Sequence, residues 1–270
     1  MINIVQTIAS TRSDHGGTSR SVPALCSALA AQGEAVRLVT AAPATDKKAA
    51  VPILPSDGVR THVVPEHGWL GRTFRAPIAF YRALRDEVQR ERPDVLHDHG
   101  AWLPSNGAAA LVARSAGIPL VVTPRGMLTD WALQFNRWKK KAAWWAYQKH
   151  VLQQAALFHV TSQEEVEALR ELGFGQPAVI IPNGVNLPTS GHSSPSLGGS
   201  RCALFLSRLH PKKGVPMLID AWAEVRPDGW ELVLVGPSEN GQRTQLERQV
   251  RRYELDEKVT FVGSVSDEAK

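Results

Sequence analysis

Two cations follow an apolar run in residues 204–215, LFLSRLHPKKGV, where a strand pattern gives way to a helix pattern. Arg208 and Lys213 lie in the turn, and the helix pattern starts at Gly214. Cations and unpaired helix N–H groups at the carboxyl end of a strand suit a diphosphate. The polar loop GPSENG ends the next strand pattern, so Gly236 and Glu239 are placed to line the same pocket. The sequence therefore predicts an anion site here.

A pair of histidines ends an earlier strand pattern, VLHDH. Strand alternation places His97 and His99 on one face and Asp98 on the other. No third ligand lies at a useful spacing, so no metal site is predicted. We expect His99 to hydrogen-bond a polar substrate, and His97 to be structural. Arg125, at the end of the strand pattern IPLVVTPRG, is expected to face the same crevice, with an ordinary surface arginine as the alternative.

A glycine loop, SDHGGT, separates the first strand pattern from the first helix pattern. Gly16 and Gly17 would let a ligand approach the backbone closely, and the helix N-terminus offers N–H groups to an anion. His15 precedes them as a candidate substrate-binding residue. The loop lacks the spacing GxGxxG, so a dinucleotide cofactor is not predicted. The alternative interpretation is a tight strand-to-helix turn.

The elements that must position these residues alternate between strand and helix patterns from the first residue. Several strand patterns, such as LVV and VII, are apolar on both faces, which is typical of a parallel sheet covered by helices. Such sheets bind ligands at the carboxyl ends of their strands. Residues 187–200 are polar and rich in Ser, Gly and Pro, which indicates a linker. We therefore predict an α/β protein with one domain at 1–186 and a second at 201–270.

A basic aromatic stretch, NRWKKKAAWWAYQKH, lies within a segment without any acidic residue between Asp130 and Glu164. Helical spacing puts Trp138 and Trp145 on one stripe with lysines around it. Tryptophan beside lysine suits an anionic membrane surface. Nucleic acid is disfavoured as a partner, because single-strand binders more often use aromatics on sheets or loops. A core-facing tryptophan stripe with a solvated basic back is an equal alternative. The membrane-facing candidates are Arg137, Lys139, Lys140, Lys141 and Trp144.

Composition limits the class of protein without naming a function. The chain has 270 residues, a formal net charge of +5 and 43% hydrophobic residues, which is ordinary for a globular protein. Cys26 and Cys202 lie far apart in apolar runs, so buried free thiols are expected instead of a disulfide framework. We see no signal-peptide pattern and no run long enough to cross a bilayer. The expectation is a cytoplasmic protein, with peripheral attachment to the inner face of the plasma membrane as a further hypothesis.

Taken in order, these motifs resemble the retaining GT-B glycosyltransferases of family 4. The resemblance rests on the Gly-Gly loop, the strand ending HDHG, the segment IPNGV before the linker, and SRLHPKKG followed by a VGP loop. It runs over essentially the whole chain and is nearest to bacterial enzymes of lipopolysaccharide and exopolysaccharide assembly. It implies two Rossmann-like domains, the first for the acceptor and the second for the nucleotide-sugar donor.

The resemblance also implies roles for single residues. Gly16 and Gly17 would lie against the donor phosphates and the acceptor, and His99 would contact the transferred sugar. Arg208 and Lys213 would hold the nucleoside diphosphate and stabilise the charge that grows on the leaving group. No metal or other cofactor is then required. Asn183, within IPNGV, joins the candidate substrate-binding residues.

One departure from the family limits these expectations. Family members continue past the strand pattern VTFVG to a motif of two glutamates that binds the donor sugar and ribose, and the sequence stops at Lys270 before it. We therefore expect an incomplete second domain. Two alternatives stay open: a non-catalytic acceptor- or membrane-binding module, and a GT-B sugar-nucleotide epimerase. The sugar, the base, the acceptor, the catalytic base and the oligomeric state cannot be predicted.

Overall fold

A computed structural model describes residues 1–13, 17–43, 51–56, 58–66, 76–185, 201–238 and 241–265. These fall into two compact units, Met1–Asn186 and Leu187–Lys270, and each is described by itself.

The first unit is built on a parallel sheet of seven strands in the order β3-β2-β1-β4-β5-β6-β7. The strands are β1 (Asn3–Ser10), β2 (Ala35–Pro43), β3 (Arg60–Glu66), β4 (Val95–His99), β5 (Leu120–Thr123), β6 (Leu157–Val160) and β7 (Ala178–Ile180). After β1, the chain places β2 and β3 on one side of it and then crosses over to place β4 on the other side. In this register Ile8 lies opposite His99. The carboxyl ends of β1 and β4 therefore form the switch point at which open α/β sheets bind ligands.

Helices cover this sheet. They are α1 (Thr18–Ala31), α2 (Ala76–Arg90), α3 (Pro104–Ala116), α4 (Asp130–Gln134), α5 (Arg137–Ala143), α6 (Lys149–Gln154) and α7 (Gln163–Glu171). The turn Trp144–Gln148 between α5 and α6 is a π-helix, so Arg137–Gln154 is one continuous helix. We call Arg137–Gln154 the basic helix.

Local sequence explains where α3 begins and ends. Pro104 occupies its first turn, where the missing N–H costs nothing, and the Asn106 side chain accepts a hydrogen bond from the Leu103 N–H at 3.0 Å. Gly117 ends the helix with φ of 63°, a conformation that glycine adopts readily. The alanine-rich face of α3 is buried in the main core beside Leu96, Val122 and Phe158.

The second unit is a parallel sheet of three described strands in the order β10-β9-β8. These are β8 (Arg201–Leu206), β9 (Trp230–Val235) and β10 (Val259–Gly263), with helices α8 (Val215–Val225) and α9 (Gln242–Arg252). The apolar stripes of both helices, including Ile219 and Leu246, pack on Leu232 and Leu234. Cys202 here is half-buried, whereas Cys26 in the first unit is fully buried, and both are free thiols as predicted.

Candidate functional site

A cavity of about 430 Å³ opens at the carboxyl ends of β1 and β4. Strand-end residues and the N-terminus of α3 form its walls, which are mostly apolar with a few polar groups. The residues that line it include Ile8, Ser10, Thr18, His99, Gly100, Leu103, Ser105 and Met127. Its place at the switch point and its volume are those of a small-molecule site. We call it the first cavity.

His99 lines the first cavity with both ring nitrogens already bonded inside the protein. The Arg125 Nη2 lies 3.2 Å from Nδ1, and the Gln6 Oε1 lies 2.7 Å from Nε2. Because a guanidinium only donates, Nδ1 accepts and Nε2 carries the hydrogen that it donates to Gln6. Burial, and after it the charges of His97, Arg125 and His159, lowers the pKa of His99 well below its usual range. This histidine is therefore a neutral, fixed group beside the cavity.

The three imidazoles of His99, His97 and His159 lie in a row. Ring centroids are 4.2 Å apart for the first pair and 5.3 Å for the second, which confirms that His97 and His99 share a face. The His97 Nε2 lies 2.7 Å from the Thr123 Oγ1, and the His159 Nε2 donates to the Ile181 carbonyl at 3.0 Å. Burial, His159 and Arg125 lower the pKa of His97 to about 3. No metal-binding group of His, Cys, Asp and Glu occurs among the described residues.

Arg125 links the strand ends. Its Nη1 donates to the Asn183 Oδ1 and its Nη2 to His99, while its Nε is buried without a hydrogen-bond partner in the described structure. The residue has φ of 58°, which turns its side chain sharply at the end of β5. Burial lowers the pKa of Arg125, and Glu165 opposes that shift. The structure thus brings together three of the predicted site residues, His99, Arg125 and Asn183.

Glu165 was missed by the sequence analysis although it supports this cluster. One carboxylate oxygen accepts the Gly126 N–H, and the other accepts the Thr161 N–H at 2.7 Å and the Thr161 hydroxyl at 3.2 Å. Glu165 is buried, with 5% of the residue exposed, so its hydrogen bonds fix the turn that carries Arg125. A signal was available, because Ser162 with Glu165 three residues later has the spacing of a capping box.

Asp98, on the opposite face of β4, supports the mouth of the first cavity from behind. It accepts hydrogen bonds from the Thr7 hydroxyl at 2.6 Å and the Asn106 amide at 2.8 Å. Burial raises the pKa of Asp98 to about 7, and these hydrogen bonds act in the opposite direction. Since Asn106 also holds the Leu103 N–H, Asp98 fixes the start of α3, whose first turn lines the cavity.

The glycine loop is described only in part. His15 and Gly16 lie outside the described residues, so their predicted roles stay predictions. Gly17 is the N-cap residue of α1 with φ of −62°, which any residue adopts, and a Cβ there would meet no atom within 4 Å. No steric demand of the described chain therefore calls for glycine at this position, and the space beside it is open to a ligand.

The predicted cations of the second unit lie in a turn at the carboxyl end of β8. Arg208 follows the strand, Lys213 ends a 3₁₀ turn over Pro211–Lys213, and Gly214, with φ of 69°, precedes α8. Hydrogen bonds tie this turn to the end of β9, from the Leu209 N–H to the Pro237 carbonyl at 2.9 Å. The neighbouring loop includes the predicted residue Glu239, which lies outside the described residues.

Gly236 has a structural reason to be glycine. Its φ is 145°, and a Cβ there would lie 1.9 Å from the Ser207 carbonyl oxygen. The backbones that leave β8 and β9 therefore touch at this position. The Ser207 N–H donates to the Val235 carbonyl at 3.0 Å and holds the contact in place.

The basic helix exposes most of its cations and two of its tryptophans. Trp138 is 73% exposed and Trp145 67%, so the core-facing alternative for that stripe is wrong. Trp144 instead turns inward and packs edge-on against Phe174 at 5.9 Å between ring centroids. The predicted residues Arg137, Lys139 and Lys141 are exposed, and Lys140 is half-buried. In the described part of the chain, no helix has both the length and the apolar character to cross a membrane.

Comparison with known proteins identifies the family. Residues 16–184 match the glycosyl transferase 4-like domain. The chain belongs to this family. Residues 200–270 match a second description, glycosyl transferases group 1. The predicted family is thereby confirmed at this level.

A curated relative and two solved structures extend this result. The glycosyltransferase TuaC of Bacillus subtilis (strain 168), named for teichuronic acid biosynthesis, is 30% identical over 164 residues, which are 57% of this chain and 40% of that protein. Sucrose-phosphate synthase from Thermosynechococcus elongatus has a TM-score of 0.74 at 22% identity over 99% of this chain and 72% of its own. Anabaena Alr3699/HepE, solved in complex with UDP and glucose, has a TM-score of 0.71 at 18% identity over 99% and 70%. The match therefore spans about two fifths of the curated relative, and the structural likeness confirms the GT-B fold class.

Proposed function

We propose that this glycosyl transferase 4-like protein is a retaining glycosyltransferase. It moves a sugar from a nucleoside-diphosphate sugar to a glycan or lipid-linked acceptor in bacterial surface polysaccharide synthesis. The observation that carries the proposal is the first cavity, which lies at the switch point of a family-4 fold and is lined by His99, whose ring Arg125 holds by a hydrogen bond. The names of TuaC and HepE, the latter solved with UDP and glucose, support a nucleotide-sugar donor.

The second unit supplies the donor contacts in this proposal. Arg208 and Lys213 bind the diphosphate, with Gly214 opening the N-terminus of α8 behind them. When the sugar departs, negative charge grows on the β-phosphate, and fixed cations stabilise that charge more in the transition state than in the ground state. The same charge stabilisation is what a divalent metal supplies in other transferases, so we propose that none is needed here.

The first unit supplies the acceptor contacts. His99 is neutral and its orientation is fixed from both sides, so it contributes shape and a polar ring edge instead of a titrating proton. Arg125 has a buried Nε donor, and Gln6 a buried Nε2 donor, without a hydrogen-bond partner in the described structure. A hydroxyl or phosphate oxygen that reached either would satisfy a donor that otherwise costs about 1–3 kcal/mol to bury.

Calorimetric titration with UDP, GDP and ADP tests the donor site. The Arg208→Ala/Lys213→Ala double variant is expected to lose binding, whereas Arg248→Ala/Arg252→Ala, which removes two exposed cations of α9, is the charge-matched control. Equal loss in both variants would indicate diffuse charge attraction and contradict the proposed site. Transfer to a defined acceptor, with the anomeric configuration of the product read by NMR, tests retention.

We also propose that the basic helix attaches the protein to an anionic membrane at the inner face of the plasma membrane. Exposed Trp138 and Trp145 lie among cations, and the Lys149 Nζ stands 5.5 Å from the centre of the Trp145 ring. Tryptophan and lysine together favour the headgroup region of anionic bilayers. Co-sedimentation with vesicles is expected to need anionic lipid, and binding that is independent of anionic lipid would contradict the attachment.

A further inference from the structure

A second cavity, of about 450 Å³, lies beside the basic helix and is not used by the chemistry above. Aromatic and apolar walls meet a cluster of cations there, with one carboxylate at the rim. The lining residues are Trp102, Asp130, Leu133, Gln134, Arg137, Lys140, Lys141, Trp144 and Leu172. The excess of positive charge at an amphipathic cavity indicates an anionic ligand with an apolar part.

The position of these cations on the helix is unfavourable without an anion. The basic helix begins at Arg137, has no acidic residue in its first turn, and carries Lys139, Lys140 and Lys141 directly after it. The N-terminal end of a helix has partial positive charge, so cations there repel it, and a bound anion relieves both repulsions. A local electrostatic conflict of this kind is typical of binding sites.

One cation is held inside the cavity wall. The Lys140 Nζ donates to the Ala132 carbonyl and lies 5.4 Å from the centre of the Trp102 ring. Both contacts fold the lysine back toward the protein and keep its ammonium near the cavity. A fixed, partly buried cation binds an anion more strongly than a solvated one, because less screening lies between the charges.

The second cavity shares a wall with the first. Trp102 lines the second, whereas its neighbours Ala101 and Leu103 line the first. The Trp102 indole N–H donates to the carbonyl of Met127 at 2.8 Å, and Met127 also lines the first cavity. A ligand in the second cavity and an acceptor sugar in the first would therefore contact neighbouring residues of the same short segment, 101–103.

Exposed aromatics near the second cavity indicate where its ligand comes from. Trp131 and Phe135, which stack at 6.4 Å between ring centroids, are 44% and 56% exposed on and just after α4, whose Leu133 lines the cavity. Trp138 is also exposed, and exposed aromatics near cations are typical of membrane interfaces. We infer that the second cavity binds the doubly charged phosphate head of a membrane lipid, through Arg137, Lys140 and Lys141.

If the proposed function holds, this head is the diphosphate that links lipid to sugar in the acceptor; it carries two negative charges, as a phosphate monoester does, and its sugar enters the first cavity. Two kinds of vesicle with equal surface charge test the site: phosphatidylcholine with phosphatidic acid, a phosphate monoester, and phosphatidylcholine with twice as much phosphatidylglycerol, a diester. Arg137→Ala/Lys141→Ala removes two cavity cations. Lys139→Ala/Lys149→Ala removes two cations of the same helix that do not line the cavity.

The native protein is expected to bind phosphatidic acid vesicles about tenfold more tightly than the diester vesicles, as charge-assisted hydrogen bonds predict. The cavity variant should lose this preference, and the control variant should keep it while binding both vesicles more weakly. Equal affinity for the two vesicles, or an equal effect of the two variants, would overturn the inference. Tight saturable binding of inorganic phosphate alone, or of single-stranded RNA in place of vesicles, would also overturn it.

Nucleotide titration of the same variants keeps this result separate from the proposed function. Both double variants should bind the preferred nucleoside diphosphate as the native protein does, because they change only the first unit. Monoester preference without nucleotide binding would refute the donor site and leave the lipid site standing. Nucleotide binding without a preference for monoester vesicles would refute the lipid site and support the donor site.

Discussion

The same substitution at two glycines is expected to have opposite outcomes. Gly236→Ala places a methyl group 1.9 Å from the Ser207 carbonyl oxygen and 2.6 Å from its carbonyl carbon, at φ of 145°. Gly17→Ala places the same group in open space at φ of −62°. Since the chemical change is identical, the difference between the variants reports the backbone environment alone.

The magnitudes follow from these geometries. A carbon and an oxygen normally stay more than about 3 Å apart, so the two backbones at Gly236 must separate by over about 1 Å, against the hydrogen bond from Ser207 to Val235. The unfavourable dihedral costs about 1–3 kcal/mol and the overpacking a similar amount, so we expect a loss of about 4 kcal/mol. At Gly17 the reduced entropy of the unfolded chain favours alanine and the N-cap preference favours glycine, so the change stays within about 1 kcal/mol.

Urea denaturation combined with hydrogen exchange by mass spectrometry separates the two units. Amides of β8 and β9 should lose protection in Gly236→Ala, while β1 and β4 keep theirs and act as the internal control. Gly17→Ala should keep its urea midpoint and yet transfer sugar more slowly, if a ligand lies against Gly17. An unchanged urea midpoint and unchanged exchange in Gly236→Ala would refute the close approach of the two backbones.

Four further outcomes are expected. Arg125→Lys should keep the fold but lower transfer more than tenfold, because an ammonium cannot bridge His99 and Asn183 as the guanidinium does, and kinetics with urea midpoints would check this. Glu165→Ala leaves the buried Gly126 N–H unpaired and should lower the free energy of unfolding by about 2–3 kcal/mol in urea. Because the pKa of His97 is about 3 in the fold and near 6.5 unfolded, the unfolded state binds the extra proton between those values. Stability should therefore fall as pH drops from 6.5 to 3, by about 2 kcal/mol at pH 5, and less in His97→Gln. Trp138→Ala should weaken vesicle binding with a stability change within about 0.5 kcal/mol, whereas Trp144→Ala should cost at least about 2 kcal/mol in urea.

Local patterns were sufficient to place the strand that positions the site. The apolar and polar alternation of VLHDH predicts a strand whose bounds, Val95–His99, match the structure, with His97 and His99 on one face. Helical spacing predicts a helix through the basic aromatic stretch NRWKKKAAWWAYQKH, but it does not predict the π-turn within that helix. That turn makes a contact distant in sequence, since the Gln148 side chain accepts the Trp102 N–H at 2.7 Å. Helical periodicity carries no information about such contacts.

The partners of the predicted residues come from strands distant in sequence. His159 joins His97 only because β6 lies next to β5 in the sheet, and no local motif singles it out. Trp144 likewise packs against Phe174, which lies beyond α7 in the sequence. The strand ends that carry His99 and Arg125 were therefore predictable from local sequence. The role of His159 was not, because it depends on the order of the strands in the sheet.

Trp102 connects two parts of the molecule mechanically. Its φ is 72°, its N–H is bonded to Gln148, and its carbonyl accepts the Tyr147 hydroxyl at 2.6 Å. The basic helix is therefore hydrogen-bonded to both the N–H and the carbonyl of Trp102. The residues on either side of Trp102, Ala101 and Leu103, line the first cavity. A tilt of the basic helix would therefore displace the backbone of Trp102 and, with it, the adjacent residues that line the first cavity. Substitutions in Tyr147 or Gln148 should accordingly change the kinetics of transfer even though neither side chain lines the first cavity.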